Sequence, residues 1–125
     1  KIQAREFEVV LPLHPRTRKA AERFGLDFKG LTVCEPVGYL EMAKLMSDSI
    51  EIYTDSGGLQ KEAYFHRKRC VTLRQQTEWV ETIDCGWNRL WTNDTYERQK
   101  EIKEYGDGHA SEAILDIIKS YLNGT

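Results

Sequence analysis

No apolar run in this chain approaches the length a helix needs to cross a bilayer, so no membrane-spanning helix is predicted within it. Neither sign of charge dominates. Eighteen Lys and Arg stand against 20 Asp and Glu, for a formal net charge of −2. That balance argues against nucleic acid as the main partner, which would favour a basic surface. Cysteine is scarce: Cys34, Cys70 and Cys85 form an odd, widely spaced set. A disulfide framework is not expected, and a reducing, cytoplasmic setting fits. With His14, His66 and His109 added, no C-x-x-C or H-x-x-x-H pairing occurs, so no metal site is predicted and the cysteines read as small core residues. Internal repeats and low-complexity segments are absent. So are a signal peptide and an initiating methionine, and Lys1-Ile2-Gln3 reads as the start of a piece of something longer.

What is present is a compact alternation. A chain of 125 residues, 40% apolar and 30% charged, is one domain by length. A chain of that size buries roughly two-thirds of its unfolded surface, enough for a core without staples. Strands are predicted over Phe7–Leu13, Leu31–Cys34, Ile50–Thr54, Arg69–Leu73 and Asn88–Trp91. Helices are predicted over Arg16–Phe24 (after Pro15 and before Gly25), Tyr39–Met46 and Leu59–His66. Two more are expected at Thr95–Glu104 and Ser111–Leu122, parted by Gly106-Asp107-Gly108; RQQTEWVET reads as a loop. Strand and helix alternating in this way imply parallel pairing, hence an α/β fold with an open parallel sheet and helices on both faces.

In such sheets ligands bind beyond the carboxyl ends of the strands. The stretch Thr54-Asp55-Ser56-Gly57-Gly58 falls at one such end and opens a helix. Free amides at a helix start, with the helix dipole behind them, hold anions. Two glycines let a phosphate reach the backbone, Ser56 offers a hydroxyl, and Glu62, one turn further on, could accept from a ribose diol. The plainer reading is an N-cap at Asp55 or Ser56, worth about 1 kcal/mol, with glycines that merely turn the chain. The segment is not a G-x-G-x-x-G, a Walker loop or a G-x-S-x-G elbow.

Five segments together resemble one family. TDSGGLQKEA (54 to 63) is similar to the TDSGG-x-Q-E-E-A of the non-hydrolysing UDP-N-acetylglucosamine 2-epimerases. LPLHPRTRK (11 to 19) resembles that family's P-x-H-P-R-T-x-K, and EPVGYLEMAKLM (35 to 46) its P-x-x-Y-x-x-F/M-x-x-L-M. CVTLRQQTEWVETIDCGWNRL (70 to 90) resembles V-x-L-R-x-x-T-E-R-P-E-x-x-x-x-G-x-N-x-L, and YGDGHASEAI (105 to 114) resembles YGDG-x-A-x-x-x-I. The likeness runs in order through nearly the whole chain.

The resemblance implies a Rossmann-like UDP-binding domain spanning residues 1–125. This would be the C-terminal half of a GT-B-type two-domain fold whose N-terminal domain lies outside the sequence. It implies inversion of C2 of UDP-N-acetylglucosamine or a related UDP-acetamido sugar, by elimination and re-addition of UDP, with no cofactor. Ser56, Gly57 and Gly58 would hold the diphosphate and Glu62 the ribose. Pro36 to Met42 would flank the uracil, while His14 and the Thr77-Glu78 loop would face the cleft, with His14 and Glu78 the possible catalytic groups. A homodimer is implied for the full-length protein. The acids that move protons would belong to the N-terminal domain, so the segment alone is expected to bind UDP weakly without turning it over.

Two departures stand out. The family's T-E-R is Thr77-Glu78-Trp79 here, and its Glu-Glu pair is Lys61-Glu62. An indole stacks but cannot neutralise a phosphate as arginine does. TEWVET with GWN resembles the branch acting on capsule and O-antigen sugars such as diacetamido-uronic acid nucleotides. The remaining basic and aromatic residues have plainer readings. Lys19 belongs to a solvated helix face, Arg74 enters a cleft or pairs with Glu78, and Trp87 and Trp91 pack, with Trp79 the exception among the tryptophans. Two other readings are a glycosyltransferase C-terminal domain, whose full E-x-x-x-x-x-x-x-E signature is not found, and a non-enzymatic sugar-nucleotide-binding domain.

Overall fold

A computed structural model describes residues 7–124; the start at Lys1 lies outside them. The chain divides into two compact units, Lys1–Leu45 and Met46–Thr125. All strand pairing is parallel, and the α/β class is as expected.

In the first unit β1 (Val10–Pro12) pairs with β2 (Thr32–Cys34), Val10 opposite Thr32. Between them runs α1 (Pro15–Arg23). Pro15 suits its first position, where a missing N–H costs nothing. Gly25 ends it with a φ of 65°, as the sequence predicts, and the Leu26 amide reaches back to the Ala21 carbonyl. α2 (Tyr39–Asp48) starts where predicted and runs on by two residues. The Glu41 carboxylate accepts from the Gly38 amide at 2.8 Å, which holds its first turn.

The second unit is a three-stranded sheet in the order β3 (Glu51–Thr54), β4 (Arg69–Thr72), β5 (Asn88–Leu90). α3 (Gly57–Phe65) and α4 (Val80–Asp84) connect them. β4 is the central strand, and Cys70, Val71 and Thr72 are all buried, as a strand covered on both faces must be. Ala63 and Tyr64 of α3 share that core.

Two predicted elements differ. The loop expected after β4 contains α4. The helix expected over Thr95–Glu104 does not form; only a single 3₁₀ turn, Lys103–Tyr105, appears there. Its alternating charges suggested a helix face, yet its backbone is committed sideways. The Trp87 Nε1 donates to the Lys100 carbonyl at 2.6 Å, and the Lys100 amide donates to Cys85. The Ile102 amide donates to the Tyr64 hydroxyl, and the Ile102 side chain is buried. Hydrogen bonds spent on neighbours are not available to the i→i−4 ladder. Gly86 lets this strap pass: its φ is 73°, and a Cβ there would strike the backbone of Glu97 and Arg98. α5 (Ala110–Leu122) closes the chain close to the predicted bounds. No helix of the described residues is long and apolar enough to cross a membrane.

Candidate functional site

The end of β3 turns into α3 within two residues. Thr54 is buried, and its hydroxyl accepts from the Ser56 amide at 3.0 Å, which tightens the turn. Ser56 is the N-cap residue in extended conformation, but its hydroxyl caps no amide. The amides of Gly57, Gly58 and Leu59 have no preceding turn to bond to. The structure thus places Ser56 at the N-cap, as the plainer reading had it, but without a side-chain hydrogen bond to the first turn.

Gly57 faces the Thr77-Glu78-Trp79 loop. A Cβ built on it would lie 2.5 Å from the Glu78 Oε1 and 3.1 Å from the Trp79 Nε1. The other Glu78 oxygen pairs with Arg74 at 3.2 Å. A carboxylate thus lies at the positive end of α3, where negative charge is favoured. The indole N–H of Trp79 is buried and has no acceptor. The Lys61 ammonium lies 4.0 Å from the centroid of the same indole and 5.6 Å from that of Tyr105.

A buried polar network fixes this loop against α3. Gln60 is 1% exposed; its Oε1 accepts from the Thr77 hydroxyl at 2.6 Å and from the Asn88 Nδ2 at 3.1 Å. Asn88 also donates to Thr82 and accepts from Thr72. The Thr77 hydroxyl in turn accepts from the Trp79 amide. The Thr82 hydroxyl donates to the Trp79 carbonyl at 2.6 Å. Each of these side chains has a partner within the network, which ties the loop to α3, β4 and β5. The sequence reading missed Gln60, Thr72, Thr82 and Asn88. Their signal was a polar side chain at an inward position, such as Gln60 on the face of α3 that carries Ala63 and Tyr64.

The expected site residues sort accordingly. Ser56, Gly57, Gly58, Thr77 and Glu78 come together in the second unit. Glu62 is half-buried on α3, four residues past Gly58 and so on the same helical face. No hydrogen bond or ion pair joins its carboxylate to another described residue. His14, Pro36 and Met42 belong to the first unit. His14 is exposed and caps α1, its Nδ1 accepting from the Arg16 amide at 3.2 Å. Pro36 lies exposed in the loop after β2, and Met42 is half-buried in the first turns of α2. His66 is the C-cap residue of α3 and His109 the N-cap residue of α5.

The second unit thus sets a glycine-opened helix start at the end of β3 against the acid-bearing loop at 77–79. The profile of the UDP-N-acetylglucosamine 2-epimerase family matches residues 1–119, and the chain belongs to that family. It is 57% identical over 90 residues to the UDP-2,3-diacetamido-2,3-dideoxy-D-glucuronate 2-epimerase of Pseudomonas aeruginosa, covering 72% of this chain and 25% of that protein. It is 39% identical to a UDP-N-acetylglucosamine 2-epimerase homolog of Methanococcus maripaludis over 90% of this chain and 36% of the relative. The chain thus spans roughly a quarter to a third of the curated relatives it matches. Among solved structures, the UDP-GlcNAc 2-epimerase of Methanocaldococcus jannaschii superposes with a TM-score of 0.78 at 31% identity, over 92% of this chain and 36% of the other. The same enzyme in complex with UDP-GlcNAc and UDP superposes at 0.73 with 32% identity, over 91% of this chain and 36% of the other.

Proposed function

We propose that these residues are the UDP-holding part of a UDP-acetamido-sugar 2-epimerase of GT-B type, one domain of a longer enzyme. The observation that carries this reading is the uncapped start of α3 at Ser56-Gly57-Gly58, in a chain similar to an enzyme solved with UDP-GlcNAc and UDP. In the reaction, the proton on C2 is removed and the C1–O bond to UDP breaks, leaving a glycal and UDP. Re-addition of a proton to the opposite face of C2 and of UDP to C1 completes the inversion. Negative charge gathers on the departing diphosphate, and amides fixed at a helix start stabilise it as it develops. They also hold UDP beside the glycal until it adds back.

Glu62 takes the ribose hydroxyls, Thr77 positions the loop, and Pro36 and Met42 flank the uracil. His14 and Glu78 are the candidates within this segment for proton or charge work. The sugar we favour is a diacetamido-uronate, since identity to the Pseudomonas aeruginosa enzyme is 57% against 39% for the Methanococcus maripaludis homolog. The family resemblance supports a cytoplasmic homodimer for the full-length protein, which sedimentation equilibrium would test. The reaction itself is tested by incubating the full-length enzyme with UDP-2,3-diacetamido-2,3-dideoxy-D-glucuronate and with UDP-GlcNAc in D2O. Solvent deuterium at C2 together with the 2-epimer is the expected product. Transfer of the sugar to an acceptor with the C2 proton retained would replace this reading by glycosyl transfer.

A further inference from the structure

The Trp79 indole N–H is buried, lacks an acceptor, and lies beside Gly57 at the first turn of α3. A buried donor without a partner is costly, so its presence calls for an explanation. The indole is held firmly. Its backbone amide donates to Thr77, its carbonyl accepts from Thr82, and both threonines belong to the Gln60–Asn88 network. Its face carries the Lys61 ammonium at 4.0 Å. The other tryptophan of this region has no such surplus, because the Trp87 Nε1 donates to Lys100.

Resting on the UDP reading above, we propose that Trp79 is a substrate-binding residue of this chain. Its Nε1–H donates to the diphosphate alongside the Gly57 amide, and Lys61, over the ring, supplies the positive charge. A cation on one face of an indole draws electron density from the ring and makes its N–H a better donor. Donor and charge, which an arginine would combine in one group, are here divided between two side chains. The Glu78 carboxylate, which lies over Gly57, gives way to the incoming phosphates while Arg74 retains it. The exchange places a diphosphate, with at least two negative charges, where the singly charged carboxylate was.

The test uses full-length protein and UDP. In ¹H–¹⁵N spectra the indole resonance assigned to Trp79, by its loss in Trp79→Phe, shifts as UDP is added. Calorimetry on Trp79→Phe shows UDP affinity about tenfold weaker, the loss of one hydrogen bond to a charged group. Lys61→Met, on the half-buried side of α3, weakens UDP severalfold and flattens the dependence of affinity on salt concentration. The inference is overturned if the indole resonance stays in place and both variants bind UDP within about twofold of the parent. In that event Gly57→Leu separates the two ideas. If it abolishes UDP binding, only the role of Trp79 is lost; if it too binds UDP normally, the UDP reading fails with it.

Discussion

At Gly57 a missing side chain is what brings an acid and an indole over the first turn of α3; any Cβ would press on both. At Cys70 the constraint is burial. Its thiol is fully covered on the central strand, and desolvation, with a smaller push from the Glu51 charge, raises its pKa from 9.0 to about 12. A raised acid pKa stabilises the neutral form, so this contribution is complete below about pH 9 and is lost as pH climbs toward 12. Cys34 and Cys85 are only half-buried. Iodoacetamide at pH 8.5 should therefore label Cys34 and Cys85 in the folded protein and reach Cys70 only after denaturation. Mass spectrometry showing Cys70 labelled as fast as Cys34 would contradict this placement. The sequence reading made all three cysteines core residues, and that holds for Cys70 alone; Cys34 and Cys85 lie at the margin of the core. Trp79 was legible only as an exception, since its neighbours Gly57 and Lys61 lie far from it in the chain.

Among the elements, the strands and the first three helices follow the predicted periodicity to within a few residues. The joint at Thr54–Gly58 was readable because glycines after a β-run have few other uses. What escaped was the wiring between elements. Gln60 lies on α3, Thr72 on β4, Thr82 on α4 and Asn88 on β5, and no local pattern joins them. The same blindness explains the helix wrongly expected at Thr95–Glu104. Its amides and carbonyls bond to Tyr64, Cys85 and Trp87, contacts that only the fold creates. Asn88→Ala should show how much the wiring matters. It leaves Gln60, Thr72 and Thr82 each short of a partner in a dry site, at about 1–3 kcal/mol for each group left unsatisfied. Thermal unfolding should show a clearly lowered Tm, with hydrogen exchange at 77–79 faster than in the parent. Unchanged exchange there would mean the network does not hold the loop.

For the whole molecule, the family was legible because its five segments recur in order, and most of them sit at joints between elements. The segment nonetheless spans only 36% of the Methanococcus maripaludis relative. In the proposed reading these residues contribute the amides at the start of α3, backed by a sheet whose central strand is buried. Charge-assisted hydrogen bonds are worth about 1.5–3 kcal/mol each, so losing two of them costs roughly a hundredfold in affinity or more. The direct measurement is calorimetric titration of UDP into the full-length enzyme and its Gly57→Leu variant, with melting curves to show that both are folded. We expect the folded variant to bind UDP at least about a hundredfold more weakly. A folded variant with the parent's affinity would show that UDP is held elsewhere.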